Sequence, residues 1–130
     1  MLAEPLVIPY NSRMPEWTVI EHTTRAGESH FAVFVESLVD AKDIKDAAVL
    51  TRALKALGNH LREPQSKALD GGLFELRGTR VSIYYGFIPG RRAVLLGGYV
   101  KKRTDTPADV IRLMRARLKE AYDANEKFGA

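Results

Sequence analysis

The side chains best suited to chemistry in this sequence are cations that crowd into its C-terminal half. Between positions 77 and 117, ten Lys and Arg residues stand against two acids, Asp105 and Asp109. Arg77 and Arg80 flank a Gly78-Thr79 pair, which is typical of a hairpin connection between two strands. Guanidinium groups that face each other across a hairpin repel unless an anion lies between them. The spacing therefore predicts a pair of arginines that binds phosphate.

The strands that would hold these arginines alternate apolar and polar side chains, so their faces can be assigned. The side chains expected to face the core are Phe74, Leu76, Val81, Ile83 and Tyr85. The opposite, polar face would carry Glu75, Arg77, Arg80, Ser82 and Tyr84. We expect Glu75 to pair with a neighbouring arginine, Tyr84 to be exposed, and Tyr85 to belong to the core.

Hydrophobic spacing around this hairpin predicts an α+β fold. Its elements are an N-terminal strand at 17–23, two antiparallel helices, an antiparallel three-strand meander and a C-terminal helix. The helices rest on two apolar series, Phe31, Phe34, Val35 and Leu38, then Ala47, Leu50, Leu54, Leu57 and Leu61. The meander strands are predicted at Leu73–Arg77, Arg80–Phe87 and Ala93–Lys101, and Thr106-Pro107 is expected to begin the last helix.

The length of 130 residues and the average content of apolar and charged residues indicate a single compact domain. Residues 1–16 contain three prolines and are interpreted as an N-terminal arm, so the folded domain is placed at 17–130. The apolar segment Leu6-Val7-Ile8 in this arm is expected to cover a sheet edge.

The composition also excludes several kinds of chemistry. The absence of cysteine excludes disulfides, thiol nucleophiles and iron–sulfur clusters. Three histidines, none close to another in the sequence, leave little material for a metal site, so we expect no metal and no cofactor. The N-terminus lacks the basic and apolar pattern of an export signal, and no apolar run is long enough for a membrane span. These features predict a cytoplasmic protein.

Three segments together resemble a known family. They are Lys67–Arg77 with its Gly-Leu-Phe-Glu-Leu-Arg stretch, Arg80–Tyr85, and Leu95–Lys102 followed by Thr106-Pro107. In order and spacing, residues 17 to about 122 are similar to the phage-derived HigB branch of the RelE/ParE toxins. The resemblance implies a RelE-like fold and the toxin role of a type II toxin–antitoxin system. It also implies a HigA-like helix-turn-helix antitoxin and mRNA on the ribosome as partners, and no membrane partner.

RelE- and HigB-like toxins cut mRNA in the ribosomal A site. Cleavage of RNA without metal requires a base for the 2′-OH, cations for the phosphorane and an acid for the leaving oxygen. The resemblance implies a catalytic set of Arg77, Arg80, Lys102 and Tyr84, and a substrate-binding set of Lys101, Arg103, Tyr99 and Arg112. None of the three histidines falls in the C-terminal motifs, unlike in toxins that use one near the chain end, so the general base stays open.

Two other functions are compatible with these residues. ParE-like members inhibit DNA gyrase, and a basic face could dock on a protein or on DNA without performing chemistry. A silent phage remnant that binds only RNA or its antitoxin is the third hypothesis. The convergence of Arg77, Arg80 and Lys102 favours the endonuclease, because gyrase-binding members generally lack a complete catalytic set.

Overall fold

The computed structural model describes residues 16–102 and 105–128 and shows an α+β fold, as predicted. Along this part of the chain the elements are β1 (Thr18–Glu21), α1 (His30–Ser37), α2 (Ala41–Leu57), β2 (Ser66–Ala68), β3 (Phe74–Arg77), β4 (Val81–Ile88), β5 (Arg92–Val100) and α3 (Ala108–Phe128). The strands form one sheet in the order β1-β5-β4-β3-β2. Strand β1 is parallel to β5, and the other neighbouring strands are antiparallel.

The predicted three-strand meander is confirmed as β3, β4 and β5, with strand ends within about a residue of those expected. Strand β2 was not predicted. Its three residues, Ser66–Ala68, are too few to show a periodic pattern, and they become a strand only by pairing with β3. The sheet is therefore one strand wider than the sequence indicated, and the additional strand forms its edge beside β3.

Helices cover both faces of the sheet, so the domain has two cores. One lies between the sheet and helices α1 and α2 and contains Leu54, Leu76, Ile83, Tyr85 and Leu95. The other lies under α3 and contains Leu73, Tyr84, Val94, Leu96, Met114 and Leu118. The sequence predicted the first core. The second core shows that the polar face of the meander is covered by α3 along much of its length.

Helix α1 packs closely on β5 because Gly98 has no side chain. A Cβ atom at this position would overlap the ring of Phe34 on α1. Gly98 therefore allows the aromatic ring to lie against the backbone of the strand, and this contact holds α1 on the sheet.

The predicted N-terminal arm falls outside the described residues except for Glu16. The first buried residue of the described part is Trp17, whose backbone N–H donates a hydrogen bond of 2.9 Å to the carbonyl of Lys55 near the end of α2. Across the ranges described, none of the helices is long and apolar enough to span a bilayer.

Candidate active site

The register of the sheet brings polar side chains from four strands to the face that α3 covers. Lys67 pairs with Glu75, and Glu75 pairs in turn with Tyr84. Further along the same strands, Ser82 lies between Arg77 and Tyr99. Residues directly opposite each other on antiparallel strands share a face. The predicted polar face of the meander is therefore confirmed for Glu75, Arg77, Ser82 and Tyr84, and Lys67 joins it from β2.

At the edge of α3 this face opens into a cleft of about 240 Å³. Its cationic and acidic lining residues are Lys67, Glu75, Arg77, Lys101 and Asp105, and the others are Leu69, Thr106 and Ile111. The cleft thus has three cations and two carboxylates within a small volume. Such a cleft can bind a phosphate group of an extended nucleic-acid strand.

Glu75 is the buried carboxylate of the cleft, and its pairing differs from the prediction. Its Oε2 atom lies 2.5 Å from Lys101 Nζ and accepts a hydrogen bond of 2.6 Å from Ser82 Oγ. The sequence predicted an arginine as its partner. The ion pair with Lys101 holds that ammonium group at the cleft wall, and its positive charge balances the negative charge of the buried carboxylate.

Arg77 is the half-buried cation of the cleft. Within residues 16–102 and 105–128, no side chain forms an ion pair or hydrogen bond with its guanidinium group. The neighbouring carboxylate, Glu75, is occupied by Lys101 and Ser82. Among the described residues the Arg77 guanidinium therefore retains its donors for an external anion, and its role as a phosphate clamp stays a prediction.

Arg80 does not join Arg77, and the predicted arginine pair is wrong in its geometry. The Arg80 guanidinium binds both carboxylate oxygens of Asp43 on α2, with a distance of 3.2 Å between Nε and Oδ1, and also approaches Asp40. It lines a different cleft, beside α2. Arg80 lies in the turn before β4, where strand alternation does not apply, and Asp43 draws it to the opposite face. The hydrogen bond and charge of Arg80 lower the pKa of Asp43.

Tyr84 is also placed differently from the prediction, because α3 covers it completely. Its hydroxyl lies 2.6 Å from the hydroxyl of Thr106, just before α3. Burial raises the pKa of Tyr84 to about 12, and the hydrogen bond to Thr106 opposes this shift only in part. Tyr84 therefore positions the start of α3 and stays protonated. The neighbouring Tyr85 is a core residue, as predicted, with its hydroxyl 2.5 Å from Ser66 Oγ.

The remaining predicted site residues fall into three groups. Tyr99 is half-buried and packs against the core under α3. Lys102 and Arg112 are exposed, and each directly follows a residue that lines the cleft. Arg103 lies outside the described residues. The structure therefore brings Arg77, Lys101 and Tyr99 to one face of the sheet, and it places Lys102 and Arg112 on the surface beside the cleft.

The structure also brings together two histidines that the sequence did not predict to meet. The rings of His22 and His30 stack with their centroids 5.1 Å apart, and His22 Nε2 lies 3.0 Å from a carboxylate oxygen of Glu120 on α3. Eight positions separate the two histidines, and a bridge between Thr23 and Ser29 closes the intervening turn. The signal for this chain reversal in the sequence is Gly27, which adopts a positive φ of 84° in the turn. In the described ranges no His, Cys, Asp and Glu cluster is suited to hold a metal ion.

This pair predicts a loss of stability in mild acid. Burial, followed by the charges of Arg117 and His22, lowers the pKa of His30 below its usual 6.5. As the pH falls, the unfolded chain therefore binds a proton at His30 at a higher pH than the folded chain does. The contribution of His30 to stability is fully present above about pH 6.5 and is lost as the pH falls through the folded-state pKa. We expect His30→Gln to flatten this dependence. Thermal midpoints of both proteins between pH 7.5 and about 5 test this, and parallel curves would contradict it.

Comparison with known families adds one finding. Residues 37–119, more than half of the chain, match the family of phage-derived Gp49-like proteins (DUF891). The matched range contains every residue that lines the cleft, whereas His22 and His30 precede it. No curated protein sequence matches the chain significantly.

Proposed function

The chain belongs to the phage-derived Gp49-like family, within the clan of RelE/HigB-like toxins, and on this premise we propose that it is the toxin of a type II toxin–antitoxin system. We propose further that it is a ribosome-dependent, metal-independent mRNA endonuclease, held inactive by a helix-turn-helix antitoxin. The observation that carries this proposal is the Arg77 guanidinium. It has no side-chain partner among the described residues, and it lies in a basic cleft beside a compensated Glu75–Lys101 pair.

In the proposed reaction the 2′-oxygen of a ribose attacks the adjacent phosphorus, and the bond from phosphorus to the 5′-oxygen breaks. The 5′-oxygen leaves and takes a proton from solvent water, so the products are a 2′,3′-cyclic phosphate and a 5′-hydroxyl end. Arg77 binds the non-bridging oxygens as their negative charge grows, and Lys67 and Lys101 add positive potential from the neighbouring strands. Asp105 is the exposed carboxylate of the cleft lining, and we assign to it the role of the base that accepts the 2′-OH proton.

Growth arrest with mRNA cleavage is the expected result of expressing the chain without an antitoxin. Cleavage should fall within translated regions, because the proposed substrate is mRNA on the ribosome. Mapping of RNA ends after induction measures this, and induction of an Arg77→Ala variant provides the matched control. Intact mRNA together with DNA damage would instead assign the chain to the gyrase inhibitors.

One observation favours a non-catalytic role as the second candidate. The Tyr84 hydroxyl and the Lys101 ammonium, two groups expected to act on the substrate, are both engaged within the protein. A cleft with Arg77 as its main available cation can bind a phosphate without cleaving the strand. Tight binding of RNA without new RNA ends would support this alternative.

A further inference from the structure

Another concave surface lies on the opposite side of the sheet, between helices α1 and α2. This groove has a volume of about 500 Å³. Its lining residues are mostly apolar and comprise Phe31, Val35, Ile44, Ala47, Ala48, Thr51, Arg52 and Lys55. The proposed RNA chemistry makes no use of it, because the cleft of Arg77 lies on the α3 face. An apolar groove of this size is characteristic of a binding site for an apolar segment.

The point at which the N-terminal arm joins the fold lies at one end of this groove. Glu16 forms an ion pair of 3.8 Å with Lys55, which lines the groove. The next residue, Trp17, donates its backbone N–H to the carbonyl of the same lysine. The residue to which the arm is joined, Glu16, therefore lies beside the Lys55 end of the groove.

The arm has the length and composition to fill the groove. Along α2 the groove extends from Ile44 to Lys55, which is about 16 Å at the rise of an α-helix. The segment from Leu6 to Pro15 spans about 33 Å when extended, so Leu6-Val7-Ile8 can reach the apolar lining. Prolines at positions 5, 9 and 15 disfavour helix and lower the entropy that docking would cost.

We propose that the N-terminal arm is an intramolecular ligand of the groove between α1 and α2, with Leu6-Val7-Ile8 packed on its apolar lining. Attachment at Glu16 gives the arm an effective concentration in the millimolar range, which a separate partner rarely attains. This inference is independent of the proposed nuclease function, since it concerns the other side of the sheet.

Arg13 provides a direct test in the full-length chain. It is the first Lys or Arg of the sequence, and Arg25 is the next, so trypsin releases residues 1–13 as a defined fragment. When a docked segment opens and closes faster than the protease cuts, the rate of cleavage is proportional to the fraction of molecules in which the segment is undocked. Docking should therefore slow the release of this fragment, which mass spectrometry can follow over time.

Two variants disrupt the contact from its two sides. Val7→Asp places a charge in the apolar segment of the arm, and Ala48→Arg fills the groove at an exposed helix position without harming the core. Each should release the fragment roughly tenfold faster than the unmodified chain. The double variant should be no faster than either single variant, because both remove the same interaction. Val49→Arg is the matched control, since Val49 is also exposed on α2 but lines a different cleft.

Three outcomes would overturn the proposal. Equal release rates in all variants would show that the arm does not dock. Acceleration by Val7→Asp alone would place the arm elsewhere, for example along a sheet edge. Protection that increases with protein concentration would show that the arm of a second copy fills the groove. The substitutions to arginine add a trypsin site in α2, so unchanged release of the tryptic fragments from the rest of the chain excludes global unfolding as the cause of any acceleration.

Discussion

Arg77→Ala is expected to lower mRNA cleavage by roughly 10²–10³, the scale of losing one donor to the charge that develops in a transition state. Arg77 lines the cleft and has no side-chain partner in the described part of the chain. Its removal therefore leaves no buried carboxylate unpaired, and the thermal midpoint should stay close to that of the unmodified chain. The measurements are the rate at which new RNA ends appear and the thermal unfolding midpoint.

Arg80→Ala is the control for this prediction, since it removes the same type of side chain three positions along. Arg80 compensates Asp43, whose carboxylate is buried at the start of α2. Its removal should lower the thermal midpoint and leave cleavage by the folded fraction near normal. The opposite pattern, with Arg80→Ala inactive but stable and Arg77→Ala active, would show that the cleft of Arg77 is not the active site.

The positions of these two arginines, one as predicted and one not, show what the alternation of side chains along a strand can predict. Alternation is a local property of the backbone, so it correctly placed Glu75, Arg77 and Ser82 on one face. Arg80 lies one residue before β4, in a turn. There the side-chain direction depends on Asp43, which lies 37 positions away in the sequence. A partner at that distance leaves no trace in a periodic pattern.

The sequence also did not predict that α3 buries the polar face of the meander. The pattern of Ser82 and Tyr84 is the same whether their face meets water or a helix. The amphipathic character of α3 indicated that one of its sides packs, but its position on the sheet depends on how the chain returns after β5. Tyr84 shows the consequence, because a tyrosine expected to meet the substrate is instead fully buried and bonded to Thr106. The histidine pair depends on the chain reversal that the bridge between Thr23 and Ser29 closes, and its contact with Glu120 depends on the position of α3.

The family match and the strand register support each other at the cleft. The matched range, residues 37–119, contains all the cleft-lining side chains, which lie on β2, β3, α3 and the segments that directly follow β2 and β5. Strand β2 contributes Lys67, which lies opposite Glu75 and enlarges the positive surface around Arg77. The cleft thus consists of residues that the meander places by register, with α3 closing one side. Its chemistry should therefore be sensitive to residues of the polar face and insensitive to residues of the opposite face.

Ile83→Ala tests that separation, because Ile83 lies in β4 directly between Ser82 and Tyr84 but faces the other core. Its side chain is fully buried among residues such as Leu54, Leu76 and Leu95. Truncation leaves a cavity in this core, so the free energy of unfolding should fall by about 2–5 kcal/mol. Cleavage by the folded fraction should be retained.

Ile83→Val is the matched control, and its expected loss is smaller, about 0.5–1.5 kcal/mol, because only one methylene group is removed. Denaturant unfolding of the three proteins, together with their cleavage rates under conditions that keep each one folded, separates stability from activity. An Ile83→Ala protein as stable as the unmodified chain would contradict the assigned core. One that is folded but inactive would show that the two faces of the sheet are coupled, since the change lies on the face opposite Arg77 and reaches the cleft only through the backbone of β4.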